Sequence, residues 1–214
     1  MSHWQIDTDR NPVPIRLFKS DFLEFFTHIS PITIVVVWLP IVIYFLASAI
    51  LRTRAPGFPT FILTGFLLGL FVWTFAEYTL HRFLFHHKPT SPAQERIFFL
   101  FHGIHHAQPQ VKTRLVMPLP VSIPMALILY GLFYLIVAVL LKAPDWIGPL
   151  MSGFLLGYII YDLTHYATHH WTMRSGYARY VKRHHMAHHY ADPDSRFGVS
   201  SPAWDWVFGT QGAS

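Results

Sequence analysis

Phe58-Pro-Thr-Phe-Ile-Leu-Thr-Gly-Phe-Leu-Leu-Gly-Leu-Phe-Val-Trp-Thr-Phe-Ala-Glu-Tyr-Thr-Leu80 runs without a break into His81-Arg-Phe-Leu-Phe-His86-His87. The first part stays uncharged until Glu77. It is long enough to cross the hydrocarbon core of a bilayer as a helix, for which about 20 apolar residues suffice. The second part places a histidine cluster where that helix leaves the membrane. Upstream, Ile32 to Ile50 is another apolar run of spanning length, and the basic Arg52-Thr-Arg-Ala-Pro-Gly57 between the two predicts a tight turn and hence a helical hairpin. Downstream, Leu119 to Leu141 and Ile147 to Tyr166 predict a second hairpin, joined by Lys142-Ala-Pro-Asp-Trp146. Its interior Pro124, Gly153 and Gly157 are residues that membrane helices tolerate.

Four spans put the long Leu80-to-Pro118 loop on the same side as both ends of the chain. Of the 16 Lys and Arg residues, Arg10, Arg16, Lys19, Arg82, Lys88, Arg96, Lys112, Arg114, Arg174, Arg179, Lys182, Arg183 and Arg196 fall on that side, against Arg52, Arg54 and Lys142 opposite. The excess of positive charge predicts that both termini are cytoplasmic. Composition agrees with a membrane protein: the 214 residues are 52% hydrophobic and only 13% charged, too apolar for an ordinary soluble domain. The net charge of +5 suits a membrane surface. Nucleic-acid binding is excluded as a reading, because it calls for a soluble basic face without long apolar runs.

The expected fold is therefore an all-α integral membrane protein, with four transmembrane helices in two hairpins under a cytoplasmic helical cap. One domain is expected over residues 1–214, with 1–30 a cytoplasmic lead-in and 31–214 the transmembrane and catalytic core. The first span begins too far from the start to read as a removable signal peptide and serves as an anchor. In the lead-in, Ile15, Phe18, Phe22, Phe25, Phe26 and Ile29 recur at helical spacing while Arg16, Lys19 and Glu24 occupy other faces. That pattern fits a helix lying in the headgroup region, with an irregular lead-in as the alternative.

The chain has no cysteine and 15 histidines, so any metal must be held by nitrogen or oxygen. Apart from His3 and His28, the histidines form four clusters, all on the cytoplasmic side of the proposed spans: His81/His86/His87, His102/His105/His106, His165/His169/His170 and His184/His185/His188/His189. Residues at i, i+3 and i+4 share a helix face, which selects His102, His105 and His106, His165 and His169, and His185, His188 and His189. His81 and His86 are five apart and need a helix end or a distortion to converge. These ten exceed what one ion can use and suit two ions with five ligands each, while a structural zinc would take four. Spacing alone does not choose among zinc, iron, copper and nickel. His87, His170 and His184 stay open between a supporting role and solvent. Glu77 and Asp162, about one turn before His81 and His165, are expected to orient ligand imidazoles.

The clusters occur in this order with the connecting stretches Phe101-His-Gly-Ile-His-His106, Thr113-Arg-Leu-Val-Met-Pro118 and Phe197-Gly-Val-Ser-Ser-Pro-Ala-Trp-Asp-Trp-Val-Phe-Gly-Thr210. Together they resemble the fatty acid hydroxylase and sterol desaturase superfamily, and within it the fatty acid 2-hydroxylases, from about Glu77 to Thr210. The resemblance marks the same ten histidines as metal ligands. It implies two iron ions, with zinc able to substitute in isolated protein, and O2-dependent hydroxylation of a lipid acyl chain at the 2-position of a fatty acid or sphingolipid acyl group. It also implies an electron donor, cytochrome b5-like or ferredoxin-like with a reductase. That donor is expected to be a separate protein, since roughly thirty residues before the first span are too few for the fused cytochrome b5 domain of many eukaryotic members. The membrane would be the inner membrane of a bacterium or the endoplasmic reticulum of a eukaryote. Arg114 is a candidate contact for a substrate headgroup, or simply an interfacial charge; Trp204 and Trp206 are expected as interface anchors.

Two other functions compete. A sterol or carotenoid oxidase or desaturase of the same superfamily would share the metal chemistry and differ in its cavity. A non-redox metal-binding or transport protein would place ligands near the bilayer midplane, where this chain is apolar. Hydrolase signatures of the His-Glu-x-x-His and Gly-x-Ser-x-Gly kinds are missing.

Overall fold

In the computed structural model, residues 13–52 and 58–212 are described. The turn expected at 53–57 and the side chains of His3, Arg10 and Arg54 lie outside them. Nine α-helices follow in chain order among the described residues: α1 (Asp21–Phe25), α2 (Pro31–Arg52), α3 (Phe58–Thr79), α4 (Pro92–Phe98), α5 (Ile104–Ala107), α6 (Leu119–Phe133), α7 (Ile147–His170), α8 (Gly176–Tyr190) and α9 (Ala203–Phe208). Four helical stretches are long and apolar enough to cross a membrane: Pro31–Arg52, Phe58–Phe85, Lys112–Leu140 and Pro144–His170. The four expected spans are all present, and the chain is a multi-pass membrane protein.

The centre of the bundle is α7. It has the lowest mean hydropathy of the four spans, 1.3 against 2.7 for α2, yet it is buried along most of its length. The two facts have one cause: a helix shielded from lipid by its neighbours can carry Gly153, Gly157, Ser152 and Asp162, because protein rather than hydrocarbon surrounds them. By contrast, α6 turns Leu127, Ile128 and Leu132 outward, as a lipid-facing helix does. Trp38 of α2 meets Tyr158 of α7 edge-on at 5.4 Å, and Ala49 of α2 lies against Gly148, so α2 and α7 are antiparallel.

Between α3 and α7 the packing is closer still. Gly65-Phe-Leu-Leu-Gly69 and Gly153-Phe-Leu-Leu-Gly157 are the same pentapeptide, and the two copies face one another. Gly69 abuts the backbone of Leu150 and Phe154, Gly153 abuts that of Phe66 and Leu70, and Gly157 receives the Trp73 ring. Small residues four apart let two helix backbones approach closely where no hydrophobic effect drives them together. Residue numbers rise together along the two helices, so α3 and α7 are parallel. Their histidine-bearing ends therefore emerge on the same side. The glycines were visible in the sequence; their pairing was not.

Past Thr79 the helix does not stop but widens into π turns over Leu80–Phe85, with the His86 N–H donated to the His81 carbonyl at 3.1 Å. A second π segment, Phe99–Gly103, leads into α5. The lead-in is mostly irregular. Its helix covers only Asp21–Phe25, and residues 13–20 are held by bonds to the 108–114 segment rather than by helical bonds.

The seam gives a direct test. Leucine at Gly69 or Gly153 should lower the thermal unfolding temperature of detergent-solubilised protein by the equivalent of about 1–3 kcal/mol. Gly131, where an added Cβ meets nothing within 4 Å, is the control; alanine there should leave stability unchanged or slightly raised.

Candidate metal centre

The histidine-bearing ends of α3 and α7, together with α5 and α8, gather ten histidines into two groups. His81, His86, His102, His106 and His188 form one, and His105, His165, His169, His185 and His189 the other. Within each group one ring nitrogen per residue lies within 4.8 Å of all the rest. These are the ten residues that spacing selected. In the first group the Nε2 atoms of His102 stand 3.1 Å from His81 and 2.9 Å from His106, and those of His188 and His86 are 3.0 Å apart. In the second, His105 Nε2 is 2.8 Å from His165 and 3.0 Å from His189, and His169 is 2.9 Å from His185.

The triplets do not each converge on a single point, as the spacing suggested. His102 and His106 turn to the first group while His105 between them turns to the second. In α8, His185 and His189 turn to the second and His188 to the first. Helix geometry accounts for the division: i and i+4 differ by about 40° around the axis, whereas i+3 falls about 60° to the other side of i. Each short helix thus serves two centres, which holds the centres side by side. The π turns solve the other spacing problem. His81 and His86, five apart, share a face where the backbone bond itself runs from i+5 to i.

A metal ion fits both groups. His81 Nδ1 donates to the Phe197 carbonyl and His188 Nδ1 to the Ser195 carbonyl, each at 2.6 Å. That fixes the tautomer and leaves the Nε2 lone pair inward. Five ring nitrogens gathered within 4.8 Å of one another form a donor set that a cation can share. Two nitrogens bound at about 2.0–2.1 Å and at right angles to one another stand about 3 Å apart. Burial first, and then the neighbouring imidazoles, hold His102, His105, His106, His185, His188 and His189 well below the ordinary histidine range. The rings are thereby kept neutral, the form that ligates.

The remaining sequence candidates join neither histidine group. Glu77 is buried but does not touch a ligand imidazole; it accepts the N–H groups of Val199 and Ser200 at 2.6 and 2.7 Å and the Ser200 hydroxyl. It braces the loop whose Phe197 carbonyl holds His81. Asp162 accepts the Met117 N–H at 3.1 Å and the Tyr158 hydroxyl at 3.1 Å, not His165. Arg114 is buried, with Nη2 2.5 Å from the Glu24 carboxylate and Nη1 on the Ile15 carbonyl, and it also lines the cavity beside the two groups. His184 is turned to Asp205 at 3.1 Å, His87 is exposed beside Phe98, and His170 lies against Tyr166. Trp204 packs α9 onto Phe75 and donates to Thr74 at 3.0 Å, while Trp206 is exposed.

A cavity of about 300 Å³ adjoins the two groups. Its walls are apolar over most of their area, and His102, His105 and His165 border it. These three come from both groups, so the cavity reaches both centres.

The fatty acid hydroxylase family model matches residues 66–210. The chain belongs to that family. It is 36% identical over 208 residues to a dihydroceramide fatty acyl 2-hydroxylase of Arabidopsis thaliana, covering 97% of this chain and 83% of that one. It is 38% identical to fatty acid 2-hydroxylase of Macaca fascicularis over 92% of this chain and 56% of the relative. It thus spans little more than half the length of some family members. The solved structure of full-length scs7p, in which only the hydroxylase domain is visible, superposes with a TM-score of 0.81 at 37% identity, covering 90% of this chain and 70% of that one.

Sequence reasoning within the family's C-terminal stretch passed over Asp205. It is buried and accepts the N–H groups of Phe197 and Gly198, the Thr210 hydroxyl and His184. Burial pushes its carboxyl up, but these bonds outweigh burial and hold it below the usual range. Its position between two tryptophans was the available signal: a carboxylate in an apolar run needs partners.

Removing the Glu77 carboxylate strands two buried N–H groups. Glu77→Ala should cost about 2–4 kcal/mol, read as a lowered thermal midpoint, and Glu77→Gln, which keeps one acceptor, should cost less. An unchanged midpoint in the alanine variant would show that the brace is not stabilising.

Proposed function

We propose that this protein is a di-iron hydroxylase that uses O2 to place a hydroxyl group at the 2-position of a fatty acyl chain, free or in a sphingolipid. The observation that carries the reading is the apolar cavity bordered by His102, His105 and His165. A cavity with so few polar atoms suits a hydrocarbon chain, and its contact with both histidine groups brings a C–H bond to the centre where two ions would be held. The names of the relatives, fatty acid 2-hydroxylase and dihydroceramide fatty acyl 2-hydroxylase, point to the same substrate class.

Each histidine group would hold one iron through its Nε2 atoms. When bound, the reduced iron pair supplies the O2-activating oxidation that an unactivated C–H bond requires. The protein's part is positional. Phe85, Leu100, Phe101 and Ile104 line the cavity and exclude water from the reacting end of the chain. The carbonyls of Phe197 and Ser195 keep His81 and His188 in one tautomer and orientation. Electrons would come from a cytochrome b5-like or ferredoxin-like donor with its reductase, on the cytoplasmic side where the Lys and Arg residues gather.

Lipid mass spectrometry on cells expressing the wild type and a His165→Ala, His169→Ala double variant tests this. The wild type should produce 2-hydroxy acyl chains, and the variant should lose them by at least about 100-fold, with bound metal falling below two equivalents in the purified protein. Wild-type protein that holds two iron equivalents, accepts electrons and oxidises no lipid would end the hydroxylase reading.

A further inference from the structure

The cavity has one wall that belongs neither to the spans nor to the histidine-bearing helices. Leu17, Phe18, Leu23, Phe26 and Thr27 line it, all from the irregular strap that runs from Val13 to Ile29 ahead of the first span. This strap lies outside residues 66–210, which the family model matches. A dense set of bonds fastens it. Gln108 accepts from the Ile15 N–H and donates to the Val13 carbonyl, both at 2.9 Å, which pins a stretch of main chain as a neighbouring strand would. The Ile29 N–H reaches the Thr113 carbonyl at 2.8 Å, and His28 meets the Thr113 hydroxyl at 2.7 Å. Between these ends, Glu24 takes the N–H groups of Leu17 and Phe18, each at 2.9 Å, on one carboxylate oxygen and Arg114 on the other.

Those bonds run to residues 108–114, directly after the α5 histidines, so the strap is tied to the same segment that brings His102, His105 and His106 to the centre. The Arg114 side chain is only 2% exposed. A buried ion pair is weak evidence of stability but can select one arrangement over others. Here the arrangement selected is that of Leu17 and Phe18, whose backbone N–H groups are bound by the same carboxylate. The outer side of the strap is apolar too: Phe22 and Phe25 are 71% and 72% exposed, as suits a segment lying in the membrane interface. An apolar strap with lipid outside and the cavity inside is the partition an acyl chain meets.

We propose that the strap is the selectivity wall of the acyl cavity, with Phe18 and Phe26 setting the length and bulk of chain admitted and the Arg114–Glu24 pair holding them in place. This rests on the acyl-hydroxylase reading and adds to it the residues that choose among acyl chains. Removing a ring from an apolar pocket alters discrimination between chains differing by a few methylenes by about 10-fold.

The test uses this 214-residue chain in lipid nanodiscs, given an equimolar series of saturated fatty acids of increasing length. Two quantities are measured: the chain-length profile of hydroxylated product and, by native mass spectrometry, the profile of bound fatty acid. Phe18→Ala and Phe26→Ala should shift both profiles toward longer chains by about 10-fold, and Phe18→Trp toward shorter ones. Glu24→Gln should broaden both profiles. Leu127→Ala, on the lipid-facing side of α6, should leave them as in the wild type. Profiles unchanged in Phe18→Ala, Phe26→Ala and Phe18→Trp, with binding intact, would overturn the proposal while leaving the hydroxylase reading untouched. A wild type that binds fatty acids, shifts its binding profile with these variants and yet hydroxylates none would uphold the wall and overturn the hydroxylase.

Discussion

The parallel contact between α3 and α7 is the constraint on which the rest of the molecule depends. The two helices are separated in sequence by the whole histidine loop and by α6, and in hydrocarbon no hydrophobic effect favours their meeting. Two copies of Gly-Phe-Leu-Leu-Gly let the backbones touch. Gly69 lies at the level of Gly153; His81 follows Gly69 by twelve residues, and His165 follows Gly153 by the same number. Helices in register at their glycines therefore deliver these histidines at nearly equal height, where α5 and α8 can lie across both and join the two groups.

The two groups are alike in number but not in their surroundings. Carbonyls from the 195–197 loop tether two rings of the first group. In the second, the Nδ1 atoms of His105, His165, His169, His185 and His189 are all buried without a hydrogen-bond partner among the described residues. Glu77 and Asp205 act one step behind the first group by shaping its loop, and neither stands directly behind a ligand. Carboxylates near a site can thus serve through the main chain, with a backbone carbonyl making the last contact.

What could be read in advance followed from local pattern. Apolar runs have the length a bilayer demands, and histidines at helical spacing are conspicuous in a chain without cysteine; the four spans and the choice of ten histidines come from these signals. What could not be read depended on where distant segments return. Glu77 looked like a partner for His81 because it precedes it by one turn. The 197–200 loop folds back and takes the carboxylate first. The pairing of Arg114 with Glu24, ninety residues earlier, had no signal in the sequence around either residue. The lead-in had the periodicity of an interfacial helix, but bonds to Gln108 and Arg114 compete with helical ones and leave only α1 wound. The division of each histidine triplet between two centres was implicit in the angles of a helix, yet it needed a second centre in view.

The π turns at the end of α3 bear on how this part of the chain tolerates change in length. A π turn is an α-helix carrying one surplus residue, and here the surplus lets His81 and His86 share a face. Loss of one residue between them would remove the surplus and return the backbone to ordinary winding, in which residues four apart share a face, so the two histidines would still converge. Across divergent chains of this architecture, the count between the two histidines should therefore be tied to the winding, five where the π turns are kept and four where the helix runs on as ordinary α.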